Sequence, residues 1–200
     1  MASTAHKQRR RSPLVARVAA ILFKPGDTWN VIAGEFTTAG SIYKSHVLPL
    51  AAVPAISLAV GSILWGRPTL FGKITIPITT AVQTGVATYV LWLVSIFVIA
   101  LVVNALASTF DGTANRVQAV KVAAYASTPA LLAGAFTLLP TGGWLRLTSL
   151  YGLYLLYVGL TPVMKSPKDR SAGYAVVASI TAIIVYLMID LVTQAFLPRG

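Results

Sequence analysis

The chain has 200 residues, no cysteine and a formal net charge of +11, yet only 10% of its residues are charged and 56% are hydrophobic. A soluble globular domain carries about 25% charged residues, and a mean hydropathy of +0.75 points instead to a bilayer as the surrounding medium. The absence of cysteine excludes disulfides, thiolate metal sites, cysteine nucleophiles and S-palmitoylation.

Residues 1–12, "MASTAHKQRRRS", read as a disordered basic tail whose Arg9, Arg10 and Arg11 suit anionic lipid headgroups. The run "RRRSPLVA" has a faint likeness to a twin-arginine signal. Arg17 and Lys24 interrupt the apolar stretch and no small-residue cleavage site follows, so no cleaved signal is expected. In "PLVARVAAILFKPGD", Leu14, Val15, Val18, Ile21 and Leu22 fall on one helical face and Arg17 on another. About ten residues are too few to span, so this helix is predicted to lie in the membrane interface, with Arg17 and Lys24 among the headgroups. Pro25-Gly26 should end it, Asp27 should cap a second short helix, "TWNVIAGEF", and Trp29 should sit at the interface with one wet edge. Residues 13–45 are therefore expected to form cytoplasmic interfacial helices.

Residues 46–197 contain five long apolar segments, at about 46–65, 81–107, 118–139, 144–164 and 172–196. About twenty residues cover a ~30 Å hydrocarbon core, so the expected fold is all-α: a five-transmembrane-helix bundle preceded by short amphipathic helices. The turn "PTGG" at residues 140–143 makes the third and fourth segments an antiparallel hairpin. No convincing internal repeat appears. Seven of the sixteen Lys and Arg precede residue 45. With the N-terminus cytoplasmic, twelve lie on the inner side and four on the outer, which satisfies the positive-inside rule and leaves the C-terminus outside. This placement accounts for the charge through topology and lipid, without nucleic acid.

Small residues recur at four-residue spacing at Ala51, Ala55 and Ala59, and again at Ser171, Ala175 and Ser179. Such stripes let helices approach closely, within one chain or between chains of a homo-oligomer.

The third segment carries "AYASTPALLAGAF". Pro129 breaks the helical ladder and frees the carbonyl of Tyr125. Ser127 and Thr128 stand beside it, and their hydroxyls can bond back to the preceding turn. This reads as a kink that shapes packing, or as a polar hinge facing a cavity. In the fourth segment Tyr151, Tyr154 and Tyr157 recur every three residues. Phenols without partners in lipid are costly, so the three are expected to point into the bundle toward Ser127 and Thr128, as interhelical bonds or as the lining of a path. Asp190 falls about eighteen residues, ~27 Å, into the fifth segment, near the outer interface. It is either a wet carboxylate, with Arg146 or Lys73 as its partner, or an ion site. Lys121 can snorkel to headgroups or pair with Glu35 to clamp the N-terminal helices under the bundle.

The chain has five acids and two histidines. It contains no HExxH, no Gly-rich phosphate loop, no Gly-x-Ser-x-Gly and no carboxylate pair within a segment, so neither an enzyme nor a bound metal or cofactor is expected. His6 lies in the tail, and His46 is expected at a membrane edge.

The run "AYASTPALLAGAF", the following "LP" and "LYGLYLLYVGLTPVMKSPKDRSAGYAVV" resemble the Ypt-interacting-protein (YIP) membrane family. Its members show a Tyr-Ser/Ala-x-x-Pro segment, a tyrosine-rich helix and a short basic Pro-containing loop before the last helix. "DTWNVIAGE" and "LPLAAVPAI" are similar to bacterial members, so the resemblance covers roughly residues 24–195. It implies five spans and a cytoplasmic N-terminus. Eukaryotic members are associated with prenylated Rab GTPases, vesicle trafficking and membrane shaping. This chain has a short basic tail in place of their long cytosolic region, which points away from GTPase binding and toward a bacterial inner membrane. The expected function is a non-enzymatic membrane organiser or adaptor that engages anionic lipid and an unidentified membrane or cytoplasmic protein. The alternative is a small transporter or channel, its polar path lined by the third, fourth and fifth segments.

Overall fold

A computed structural model describes residues 14–69, 72–140 and 142–195. The N-terminal arginines Arg9, Arg10 and Arg11 lie outside the described residues. Two short helices, α1 (Leu14–Phe23) and α2 (Pro25–Gly34), precede five helical segments long and apolar enough to cross a membrane. These are span 1 (Ala39–Trp65), span 2 (Ile78–Leu106), span 3 (Arg116–Leu138), span 4 (Trp144–Met164) and span 5 (Lys168–Ala195). A two-stranded antiparallel hairpin, β1 (Arg67–Thr69) and β2 (Gly72–Ile74), joins spans 1 and 2. The connections place α1, α2 and the two loops at 107–115 and 165–167 at one end of the bundle, here the N side. The hairpin and the turn after span 3 lie on the far side.

Span 3 is the central column. Of its most apolar eighteen-residue window 78% is buried, against 22% to 39% for the other four spans. It is also the least continuous. An α-helix runs from Arg116 to Ala126, breaks at Ser127, resumes from Thr128 to Ala133, and tightens to 3-10 geometry from Gly134 to Leu138. Pro129 supplies the break expected from its missing N–H. Span 4 shows the same change on the far side, being 3-10 from Gly142 to Leu150 and α-helical from Tyr151 to Met164. Span 1 begins at Ala39, ahead of the expected start near residue 46, and passes through a π turn at Tyr43–Val47.

The expected small-residue stripes are used within the chain. A side chain at Gly85 of span 2 would meet the Ala55 carbonyl and the Ala59 Cβ of span 1, each at 3.1 Å. Gly134 of span 3 lies against Pro54 so closely that a Cβ would fall 2.4 Å from the proline's own. On span 5 the Ser171 hydroxyl meets Thr161 of span 4 at 2.8 Å. Polar bonds tie further spans. Tyr43 donates to the Leu93 carbonyl at 3.1 Å, Tyr89 to Leu48 at 3.3 Å, and Tyr174 to Val103. With lipid on the outside there is no hydrophobic drive between helices, so close approach and such bonds hold them together.

Several local expectations change. Pro25 opens α2 instead of merely ending α1, as suits a residue lacking an N–H at a first helical position. Asp27 therefore lies in the first turn rather than at the cap. Val15 is 78% exposed, whereas Ile21 is buried. Trp29 has no wet edge. It is fully buried against Gly159 of span 4, where a Cβ would fall 2.7 Å from the indole. Gly159→Val should therefore push α2 off the bundle, since overpacking costs about 1–3 kcal/mol. Gly26→Ala, whose site has open space, serves as the control. Thermal unfolding in detergent should show a clearly lower midpoint for Gly159→Val and little change for Gly26→Ala.

Candidate functional site

Two polar clusters approach the break in span 3 from its two sides. On the N side the first two turns of span 3 hold the end of α2. Asn115 caps span 3, its side chain accepting from the N–H groups of Val117 and Gln118 at 3.0 and 3.1 Å. That start directs Gln118 and Lys121 toward α2, whose last carbonyls have no helical partner. Gln118 donates to the Ala33 carbonyl at 3.2 Å. Lys121, only 2% exposed, donates to the carbonyls of Ile32 and Glu35, each at 2.7 Å. A cation at a helix C-terminus also faces the negative end of its dipole.

The expected Glu35–Lys121 ion pair is thus rearranged. Lys121 reaches Glu35 through its backbone, and the carboxylate is held by Arg17 at 2.5 Å. The reason is reach. α1 folds back over α2 and brings its guanidinium beside Glu35, leaving the lysine to the carbonyls. Arg17 is consequently not a headgroup ligand here. Its side chain is 15% exposed, and its guanidinium lies 5.9 Å from the centroid of the Tyr125 ring, a cation–π distance. Lys24 is exposed, as a headgroup contact requires.

Tyr125 stands between Trp29, whose ring meets it edge-on at 6.2 Å, and His46, whose ring lies at 4.4 Å. His46 is buried, not at an edge, and its Nε2 pairs with the Thr128 hydroxyl at 2.9 Å. Its Nδ1 and the Trp29 Nε1 have no hydrogen-bond partner. Ser127 bonds back to the Ala123 carbonyl at 2.7 Å, as expected beside a helix break. Thr128 instead turns outward to span 1.

The tyrosine stripe of span 4 does not meet this cluster. Tyr154 and Tyr157 are 48% and 47% exposed on the bundle surface. Tyr151 donates to the Leu22 carbonyl at the end of α1 at 2.8 Å. A three-residue repeat on a 3.6-residue helix drifts around the axis, so the stripe cannot keep facing one neighbour. The hydroxyl that does reach Ser127 comes from Tyr186 on span 5, at 3.1 Å. That residue, Arg17's inward turn and the burial of Trp29 were not evident in the sequence. The signals available were an arginine inside an apolar helix and a glycine, Gly159, inside a tyrosine-rich one.

On the far side a cavity of about 380 Å³ opens between the spans. Its floor is formed by Trp92 and Tyr186, whose rings lie 5.2 Å apart, and its walls include Pro54, Leu58 and Ala130. At its mouth Asp190 accepts from Arg146 at 3.4 Å and from Gln194 at 2.6 Å. Of the two partners expected for Asp190, the structure thus brings up Arg146. Of the expected path residues Asp190 lines this cavity, whereas Tyr125, Ser127, Thr128, Pro129, Tyr151, Tyr154 and Tyr157 do not. No group of three or more potential metal ligands occurs among the described residues.

Five apolar spans, four of them around a buried, broken central one, define a helical multi-pass membrane protein. A family model for the Yip1 domain matches residues 19–189, and the chain belongs to that family. Comparison with curated proteins and with solved structures gave no match.

The N-side geometry ranks the contacts. Lys121→Met should leave the Glu35 carbonyl without its donor and the Ile32 carbonyl with only the 3.3 Å bond from the Glu35 N–H, at about 1–3 kcal/mol for a buried unsatisfied group. Glu35→Gln should weaken a single, partly exposed pair. Chymotryptic cleavage after Phe23, 82% exposed at the joint between α1 and α2, should therefore speed up much more in Lys121→Met than in Glu35→Gln. Equal rates in the two variants would contradict the clamp.

Proposed function

We propose that this protein is a non-enzymatic organiser of the membrane, with α1 and α2 acting as a wedge fixed in the leaflet on the N side. The observation that carries this reading is a rigid platform with a greasy exterior. Arg17–Glu35 ties α1 to the end of α2, and Lys121 and the buried Trp29 bolt α2 to the bundle. Around the helix pair Val15, Phe23 and Phe36 are 78%, 82% and 104% exposed. Large apolar side chains in such numbers need a covering medium, and interfacial lipid supplies one. Lys24 and Lys44 are exposed on the same segment. With the basic N-terminal tail they would draw anionic headgroups, at about 1 kcal/mol for each basic residue near the surface. In this reading the N side is cytoplasmic, the membrane is a bacterial inner membrane, and a membrane or cytoplasmic protein, or a second copy of the chain, would use the same platform.

The transporter reading is supported by the far-side cavity with Asp190 at its mouth. The packed Tyr186–Ser127 floor and the aromatic cluster beneath it favour the organiser.

The two separate in vesicles containing about a third anionic lipid. At high protein density the wild-type chain should narrow the vesicles seen by electron cryo-microscopy, and a Phe23→Ser, Phe36→Ser variant should return them to the radius of protein-free controls. Unchanged radii would sink the wedge. Solute flux present in the wild type and lost in Asp190→Asn would establish the transporter.

A further inference from the structure

The cavity on the far side invites a ligand that the wedge does not require. Its mouth lies close to the end of span 5, since Asp190 precedes Ala195 by only five residues. Its floor at Trp92 lies midway along span 2. On span 5 the floor at Tyr186 lies one helical turn, about 6 Å, below Asp190 at the mouth, so a molecule filling it would keep its head at the interface and place the first length of its chain in the bundle. The volume of about 380 Å³ falls in the range of pockets that hold small organic molecules, about 300–1,000 Å³. Below the mouth the walls are mostly apolar. The one hydroxyl on the aromatic floor, that of Tyr186, is already given to Ser127. Of the other lining hydroxyls, Thr137 donates to the Gly134 carbonyl at 2.8 Å, and Thr88 and Thr193 meet each other at 3.4 Å, so the polar groups of the wall are few beside its apolar surface.

The mouth is the opposite. Arg146 and Asp190 are about half exposed and meet through one long contact of 3.4 Å. A guanidinium has five N–H donors, and this one uses a single donor on Asp190. A purely anionic head would have to displace Asp190, and a purely cationic one would have to displace Arg146. A zwitterion satisfies both, with its acid on the guanidinium and its ammonium on the carboxylate. The carboxylate accepts hydrogen bonds, so a primary ammonium fits better than a quaternary one. The aromatic rings that would favour a quaternary cation lie at the floor, one helical turn below the carboxylate, and do not surround it.

We propose that this cavity binds one phospholipid of the phosphatidylethanolamine class from the far-side leaflet. Its phosphate meets Arg146, its ammonium meets Asp190, and one acyl chain descends past Leu58 to Trp92 and Tyr186. This assignment is independent of the wedge at the other end of the bundle.

The test is native mass spectrometry of the full chain released from vesicles with equal parts phosphatidylethanolamine, phosphatidylcholine and phosphatidylglycerol of identical chains. The wild type should retain the ethanolamine lipid over the other two by about tenfold, the discrimination expected of one charge-assisted bond. Arg146→Gln and Asp190→Asn alter surface groups and should fold normally, and each should abolish that preference. Ala133→Phe should remove retained lipid altogether by filling the cavity. If that variant does not fold, the two charge variants decide the matter alone. Equal retention of all three lipids by the wild type would overturn the proposal. So would a preference that survives both charge changes, or binding of glycerophosphoethanolamine, the head without chains, as tight as that of the lipid.

Discussion

A helix broken in a membrane must be enclosed. In hydrocarbon no water replaces the N–H that Pro129 lacks, so irregular backbone is tolerated only where protein surrounds it. That constraint explains why span 3, the most interrupted span, is also the most buried, and why the other four are arranged around it. The groups that complete the break come from different neighbours. Ser127 bonds within its own helix and receives Tyr186 from span 5, and Thr128 meets His46 from span 1. The break is thus a junction that fixes spans 1, 3 and 5 relative to one another.

The same junction divides the protein into two working ends. Below it, span 3 presents Gln118 and Lys121 to the carbonyls at the end of α2, and the aromatic cluster of Trp29, Tyr125 and His46 fills the space between. This end converts a pair of short helices, too short to be stable alone in water, into a fixed part of the bundle. Above it, the shift to 3-10 geometry in spans 3 and 4 accompanies an open cavity. Between the two ends lies packed aromatic and hydroxyl contact.

Much of the fold was legible in the sequence because bilayer thickness leaves few alternatives. Five apolar runs of the right length, a Gly-rich turn and a proline flanked by hydroxyls each carry a local physical meaning that no tertiary context overrides. The chemistry around the break was less legible. Lys121 was matched to the nearest acid on its side, but its partners are backbone carbonyls, which have no signature in side-chain identity. The tyrosine repeat of span 4 suggested an inward stripe, whereas the residue that completes Ser127 is Tyr186, unremarkable among its neighbours. His46 looked like an edge residue because the span was started at it. The helix begins at Ala39, two turns earlier, which carries the imidazole into the bundle.

The enclosure of span 3 can be measured on the native chain with a lipid that carries a carbene-generating group in its acyl chain. After illumination in vesicles, adducts should concentrate on spans 2 and 5, at exposed positions such as Phe97, Leu101 and Ile184, and should be nearly absent from residues 116–133. Labelling of residues 116–133 at the level of span 2 would show that the broken helix faces lipid, and the account built on its burial would fail.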